Sequence, residues 1–240
     1  MHFVAFAVFL FTATIAHAQA TVSRVSFTGV VGQNKIGMVL LVDAAGTVNG
    51  GHYFEAKDLK DIPLTVSTQG SGLLLYAPEG GQFALSFKGG QPGQSRSFRN
   101  STGLEGRWLK GASSYPVELH IESTTQGSAN ARWYQDVTTE SDAAFESKVQ
   151  SFRKAVLDGD HAAAARFVDF PLRVNRGGKS SEIRSAAALS SHWDSIFTPA
   201  CIDAVRDAMP HDMFVRNGQA MLGNGVVWFG PKGAQAINVP

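Results

Sequence analysis

The sequence predicts an α+β protein in two parts, an N-terminal antiparallel β barrel or sandwich over residues 19–124 and a C-terminal, cone-shaped domain of helices on a curved antiparallel sheet over residues 141–240. Three observations predict this. From Val22 to about Glu122, short apolar stretches alternate with glycine, asparagine and serine at the spacing of antiparallel strands. Residues 123–131, Ser-Thr-Thr-Gln-Gly-Ser-Ala-Asn-Ala, are small and polar, as a linker or exposed loop requires, and the linker is placed at 125–140. Beyond them the apolar period lengthens. Phe145, Val149, Phe152 and Val156 recur at i, i+4, i+7 and i+11, which is one face of a helix.

Ahead of these elements, Phe3 to Ile15 is an uncharged apolar run, and it meets Ala16-His17-Ala18-Gln19-Ala20. That is the pattern of a secretory signal with an A-x-A cleavage site, so residues 1–18 are expected to be removed after Ala18, with Ala20 the second choice. About 13 apolar residues are too few for a span of roughly 20. A periplasmic or secreted destination follows, without membrane insertion after cleavage. The single cysteine, Cys201, excludes an intrachain disulfide, and the expected fate of its thiol at a helix start is packing as a small hydrophobe.

Eight strands are expected in the first part, near 22–29, 35–43, 47–56, 62–68, 72–77, 82–88, 103–110 and 115–122. Glycine and proline mark the turns at Ala44-Ala45-Gly46, Gln69-Gly70-Ser71-Gly72, Pro78-Glu79-Gly80-Gly81 and Gly89-Gly90-Gln91-Pro92-Gly93. Eight strands can either fill their interior with side chains or enclose one small ligand, and the pattern leaves both open. In the second part, Asp158-Gly159 stops the first helix, and Asp160 caps a second through Ala162–Val168 that Pro171 ends. A strand follows at Phe170–Asn175 with a turn at Arg176–Lys179. Ser185 caps a third helix whose core face is Leu189, Trp193, Ile196 and Phe197, and Thr198-Pro199 opens a fourth with Ile202, Val205 and Met209 inside. Asn217-Gly218 joins strands at Met213–Arg216 and Gln219–Phe229, the second bent at Gly223-Asn224-Gly225, and Ala236–Val239 is the last strand.

Two resemblances add to this reading. Gly50-Gly51-His52-Tyr53-Phe54-Glu55-Ala56-Lys57, with Ile62-Pro63-Leu64, Leu73-Leu74-Leu75 and Leu104-Glu105-Gly106-Arg107-Trp108, resembles the β-rich region of bacterial secreted proteins. Phe152 with Asp158-Gly159-Asp160, Phe170-Pro171-Leu172-Arg173-Val174, Trp193 to Pro199 and Gly218 to Phe229 resemble the nuclear-transport-factor-2-like (cystatin-like) fold, over about 95 residues. The resemblance implies a cone that serves isomerases, dehydratases and plain binding proteins alike, so it implies no single activity.

The candidate site residues are therefore read one by one. His192 and Asp194 flank Trp193, but on a helix positions i and i+2 point about 200° apart and cannot share one substrate. His211 and Asp212 precede the hairpin, where solvation or capping accounts for both, and two adjacent side chains do not make a metal site. Asp169 and Arg173 bracket Phe170-Pro171 and are candidates for the cone mouth, though a strand-edge ion pair is the expected account of both. A carrier of a small apolar ligand would need an apolar cavity lined by Trp193, Trp228 and Phe214, or by their counterparts in the barrel. No nucleophile elbow, zinc-protease helix, phosphate loop or paired-cysteine motif occurs, and no cofactor or metal is expected. With Lys plus Arg at 21 against Asp plus Glu at 20, no basic stripe points to nucleic acid. The expectation is a non-catalytic exported protein that binds another protein or an envelope component, in the manner of an inhibitor or immunity protein. The alternatives are a carrier of a small apolar ligand, or a cone-fold enzyme using a pocket carboxylate or histidine.

Overall fold

Alternation of buried and exposed residues carries the first half. A computed structural model describes residues 21–240 apart from 70, 71, 92, 129 and 130. The expected signal segment and its cleavage site, the Gly70-Ser71 turn, Pro92 and Ala129-Asn130 thus lie outside the described residues. Eight strands, β1 (Thr21–Val31), β2 (Asn34–Val42), β3 (Val48–Glu55), β4 (Ile62–Gln69), β5 (Gly72–Ala77), β6 (Gly81–Lys88), β7 (Gly103–Lys110) and β8 (Ser113–Ser128), form a closed antiparallel barrel in chain order. Closure comes from β1 pairing with β8, from Thr21 opposite Ser128 to Val31 opposite Val117, with one bulge between Ser26 and Phe27. Closing the sheet leaves no free edge, so the barrel's backbone donors and acceptors pair all the way round. Of the two expected forms it is the barrel, and its interior is filled by Phe27, Ile36, Met38, Leu40, Leu75, Phe83, Leu104 and Leu119, each almost wholly buried.

One boundary differs from expectation. Residues 123–128 are strand, not linker, because the polar end of β8 pairs with Thr21–Ser26 of β1 through the backbone, which needs no apolar side chain. Ala131 and Trp133, within the expected linker, are also tied to the barrel. Arg24 donates to the carbonyls of Ser128 and Ala131 and lies 5.0 Å over the Trp133 ring, and Tyr134 is fully buried.

In the second half, α1 (Asp142–Asp158) is capped by Ser141, whose side chain accepts from Ala144 N, and is stopped by Gly159 in the left-handed conformation. Asp160 caps α2 (His161–Ala165). That helix is shorter than expected: Val168 already begins β9 (Val168–Arg176), which contains Pro171 after a cis peptide and pairs with β10 (Lys179–Ile183). The expected third helix breaks at His192 into α3 (Ala186–Ser191) and α4 (Trp193–Ile196), while α5 (Pro199–Asp207) starts with proline after the Thr198 cap. A hairpin at Asn217-Gly218 joins β11 (Val215–Arg216) to β12 (Gln219–Leu222). Gly223-Asn224-Gly225 then reverses the chain instead of bending one strand, since β13 (Val227–Gly230) runs back along β12 with Met221 opposite Trp228. The last strand, β14 (Gly233–Asn238), pairs antiparallel with β13 but parallel with β9. The sheet, in the order β10-β9-β14-β13-β12-β11, is therefore mixed, where an antiparallel one was expected. Helices and sheet enclose a second core around Phe145, Phe152, Leu172, Leu189 and Phe229.

Candidate ligand cavity and histidine–carboxylate cluster

One end of the barrel is not filled. Its mouth holds a cavity of about 930 Å³, bounded by the β1–β2 turn, the segment between β3 and β4, Pro78 and the ends of β7 and β8. Its floor is an aromatic group: Tyr53 meets Phe83 edge-on at 5.1 Å, and Trp108 stands 5.7 Å from Tyr53 and 4.5 Å from Phe83. Ring pairs at this spacing each contribute about 0.5–1.5 kcal/mol beyond area burial. Gly81 makes the arrangement possible, because a Cβ there would lie 2.0 Å from the Trp108 ring. Ile36, Ile62 and Pro63 extend the apolar wall, Glu55, Lys60 and Asp61 supply charge at the rim, and Tyr115 stands half exposed beside it.

Asp61 also belongs to a second feature, at the seam between barrel and second half. The short segment before β4 carries Asp61, β3 carries His52, and the loop between α5 and β11 carries His211 and Asp212. His52 Nε2 lies 2.5 Å from Asp212 Oδ2 and 3.4 Å from Asp61 Oδ1, while His211 Nε2 lies 2.8 Å from Asp61 Oδ1 and 3.8 Å from Asp212 Oδ2. All four donor atoms lie within 4.8 Å of one another. Behind them, His211 Nδ1 bonds Glu146 Oε2 at 2.7 Å. Glu146, buried on α1, accepts in turn from the Tyr134 hydroxyl at 2.8 Å and the Asp212 amide at 3.0 Å, and the Met213 amide donates to the Tyr134 oxygen at 2.9 Å. The Phe54 ring meets the His211 ring edge-on at 4.5 Å, in space left by Gly37, where a Cβ would fall 2.1 Å from Phe54. A smaller cavity of about 230 Å³ opens on His211 and Asp212 from the side of β1, β2 and α5.

The charges follow from these contacts. Burial disfavours an imidazolium at His211, but the hydrogen bonds to Asp61 and Glu146 and the nearby carboxylate charges outweigh it and raise its pKa to about 10. His52 moves the same way, with burial opposing and Asp212 prevailing. For Asp61, burial favours the acid while the hydrogen bond to His211 prevails and lowers its pKa. Desolvation, with Glu146 beside it, pushes the Tyr134 phenol well up, so it remains a donor.

The other candidate residues do not come together. His192 and Asp194 are exposed, and His192 Nδ1 lies 2.9 Å from its own helix at Ala188 O, consistent with the outward polar face that the spacing predicts. Trp193 is core: it stacks on His161 at 4.0 Å and packs on Phe197 at 4.2 Å. Trp228 lies on the open face of the sheet with Arg173, beside a cavity of about 240 Å³, and Phe214 lines a cleft of about 120 Å³ near Arg24 and Trp133. Among the described residues Trp193, Trp228 and Phe214 line no common cavity, because Phe152, Phe197 and Phe229 occupy the space between helices and sheet. Asp169 is bonded by the Gln235 amide at 3.0 Å, and among the described residues it makes no ion pair with Arg173. Cys201 is buried, which pushes its thiol up to about 11, as expected for a cysteine packed as a small hydrophobe.

His211 and Asp212 are thus more than a solvated pair. Their partners His52 and Asp61 are 150 to 160 residues away, so no local spacing announced them. Among the described residues no helix is long and apolar enough to cross a membrane. No protein-family model matches the chain, and neither does any curated protein or solved structure.

Proposed function

We propose that the protein is an exported, non-catalytic binding protein whose barrel takes a small, mainly apolar ligand at its mouth. The cavity of about 930 Å³ carries this reading, since it falls in the range of roughly 300–1,000 Å³ typical of small-molecule sites. Its lining has the usual division of labour for such sites. Tyr53, Phe83 and Trp108 offer ring faces to an apolar body, and Glu55, Lys60 and Asp61 offer charge to one polar group at the entrance. The ligand class that fits is a compact one- or two-ring molecule with a single polar or ionised substituent.

The second half we read as nuclear-transport-factor-2-like. Two opening helices, a proline-containing strand, a second group of helices and a last strand that returns beside β9 support that reading. Its own core is packed, and the residues that line the mouth cavity all belong to the barrel.

The test is saturable binding of a fluorescent apolar probe such as anilinonaphthalene sulfonate to the purified protein, with native mass spectrometry of protein taken from its own source. The expected result is one probe per chain, displaced by whatever small molecule copurifies, and weakened at least tenfold by Trp108→Ala or Ile62→Asp. Absence of saturable binding would sink the reading. A protein or envelope partner is the second reading, favoured by Val30, Tyr76 and Tyr115, large hydrophobic side chains exposed on the barrel. Stoichiometric recovery of a protein whose binding is abolished by Tyr115→Ala, with no probe binding, would favour it.

A further inference from the structure

We propose that His52, Asp61, His211 and Asp212 bind one divalent transition-metal ion, zinc by preference, at the seam between the barrel and the second half. The inference shares Asp61 with the rim of the barrel mouth but does not depend on what occupies that cavity. Four donors at about 2.0–2.1 Å from a tetrahedral zinc stand about 3.3 Å from one another. The four nitrogen–oxygen separations here, 2.5, 2.8, 3.4 and 3.8 Å, bracket that spacing, so modest side-chain movements, with release to solvent of the Nε2 protons that bridge the ion-free cluster, bring all four onto one ion. Two imidazole nitrogens with two carboxylate oxygens suit zinc and its neighbours, while magnesium and calcium prefer all-oxygen sets.

A second observation, independent of the cluster itself, is the way His211 is held. Metal-ligating histidines commonly give their other ring nitrogen to a carboxylate, which fixes the ring and raises its basicity. Glu146 does this to His211 Nδ1 from a side chain only 9% exposed, and Tyr134 and the Asp212 amide occupy the other carboxylate oxygen. His211 Nε2 is thereby aimed into the cluster. Phe54 packs edge-on against the same ring and holds it from one side.

The fourth ligand explains how an ion would enter. His211 and Asp212 are 12% and 10% exposed, whereas Asp61 is 53% exposed and borders the mouth cavity. Asp61 can swing out to admit the ion and close behind it. Three chain segments supply the ligands, so the ion would tie the segment before β4 and strand β3 to the loop after α5. Four protein donors leave no open position, which makes this a structural site and not a hydrolytic one.

The experiment is titration of chelator-treated purified protein with zinc chloride, read by calorimetry and by metal analysis after desalting, alongside cobalt substitution. The expected results are one zinc per chain, a raised thermal midpoint, and an intense visible spectrum of tetrahedral cobalt. Asp61→Asn should weaken binding at least tenfold, His52→Ala at least a hundredfold, and Glu146→Gln, which acts through His211, by about 10–100-fold. Asp61 is exposed, so its variant folds even if His52→Ala does not. Substoichiometric zinc, magnesium binding as tight as zinc, octahedral cobalt, or undiminished affinity in Asp61→Asn would each overturn the proposal and leave the cluster as an ion-pair clasp.

Discussion

The two halves solve the problem of sheet edges differently. In the barrel, β1 returns to β8 and every strand has two neighbours; in the second half, β10 and β11 remain edges, and five helices cover one face instead. A closed sheet keeps its core inside and leaves only its ends for a ligand. An open, helix-covered sheet uses its interior for packing, which is why the large cavity is at the barrel mouth and not between the helices and the sheet. The two cores, around Phe83 and around Phe152, share no residue, and what joins them includes the histidine–carboxylate cluster, the Phe54–His211 ring contact, the Arg24 bonds and a bond from Lys35 to the Asp207 carbonyl.

The strongest test of that division is Phe152→Ala. The ring is fully buried and packs on Phe229 at 5.2 Å, so its loss should cost about 3–5 kcal/mol by urea unfolding. Hydrogen exchange should accelerate in α1, β9 and β13 while β2 and β6 keep their protection. If protection is lost in both sets together, the halves form one cooperative unit and the comparison fails. Gly81→Ala acts on the other side. Its new methyl must displace Trp108, so we expect a loss of about 1–3 kcal/mol, a red-shifted tryptophan emission and an altered mouth. Ser141→Ala removes the α1 cap and should cost about 1 kcal/mol, confined to the second half. Cys201 should resist a thiol reagent at pH 8 in the native protein and react fully once unfolded, since burial holds its pKa near 11. Smallest of all is Lys154→Ala, which removes an exposed pair with Asp158 and should leave the unfolding midpoint unmoved.

Most of the architecture was legible because it depends on local rules. Period-two alternation with glycine-bearing turns located all eight barrel strands, and Asp160, Ser185 and Thr198 located three helix starts. What escaped depends on pairing. Residues 123–128 look like a loop because their side chains are polar, yet they are strand because β1 offers a backbone partner. Val168 left the helix for the same reason, drawn into the parallel pairing of β9 with β14. The cluster was half visible. His211 and Asp212 stood out as a pair, but His52 and Asp61 read as an ordinary strand and loop, and only the docking of the two halves gives all four a common centre.

Closure of the barrel also bears on how the chain folds. The pairing that seals it joins Thr21 to Ser128, contacts separated by on the order of 100 residues, whereas α1 and α2 form from neighbours. During synthesis β1 can find β2 at once, but its other edge must wait until β8 has emerged. Contacts so distant in sequence carry the entropy of a long loop before any of their hydrogen bonds form, so ring closure is the expected slow step. In that interval the outer rows of β1 and of the newest strand are open to wrong partners. The polar, threonine- and serine-rich end of β8 suits that interval, because a late-arriving edge without apolar side chains has little tendency to stick to anything before it reaches β1.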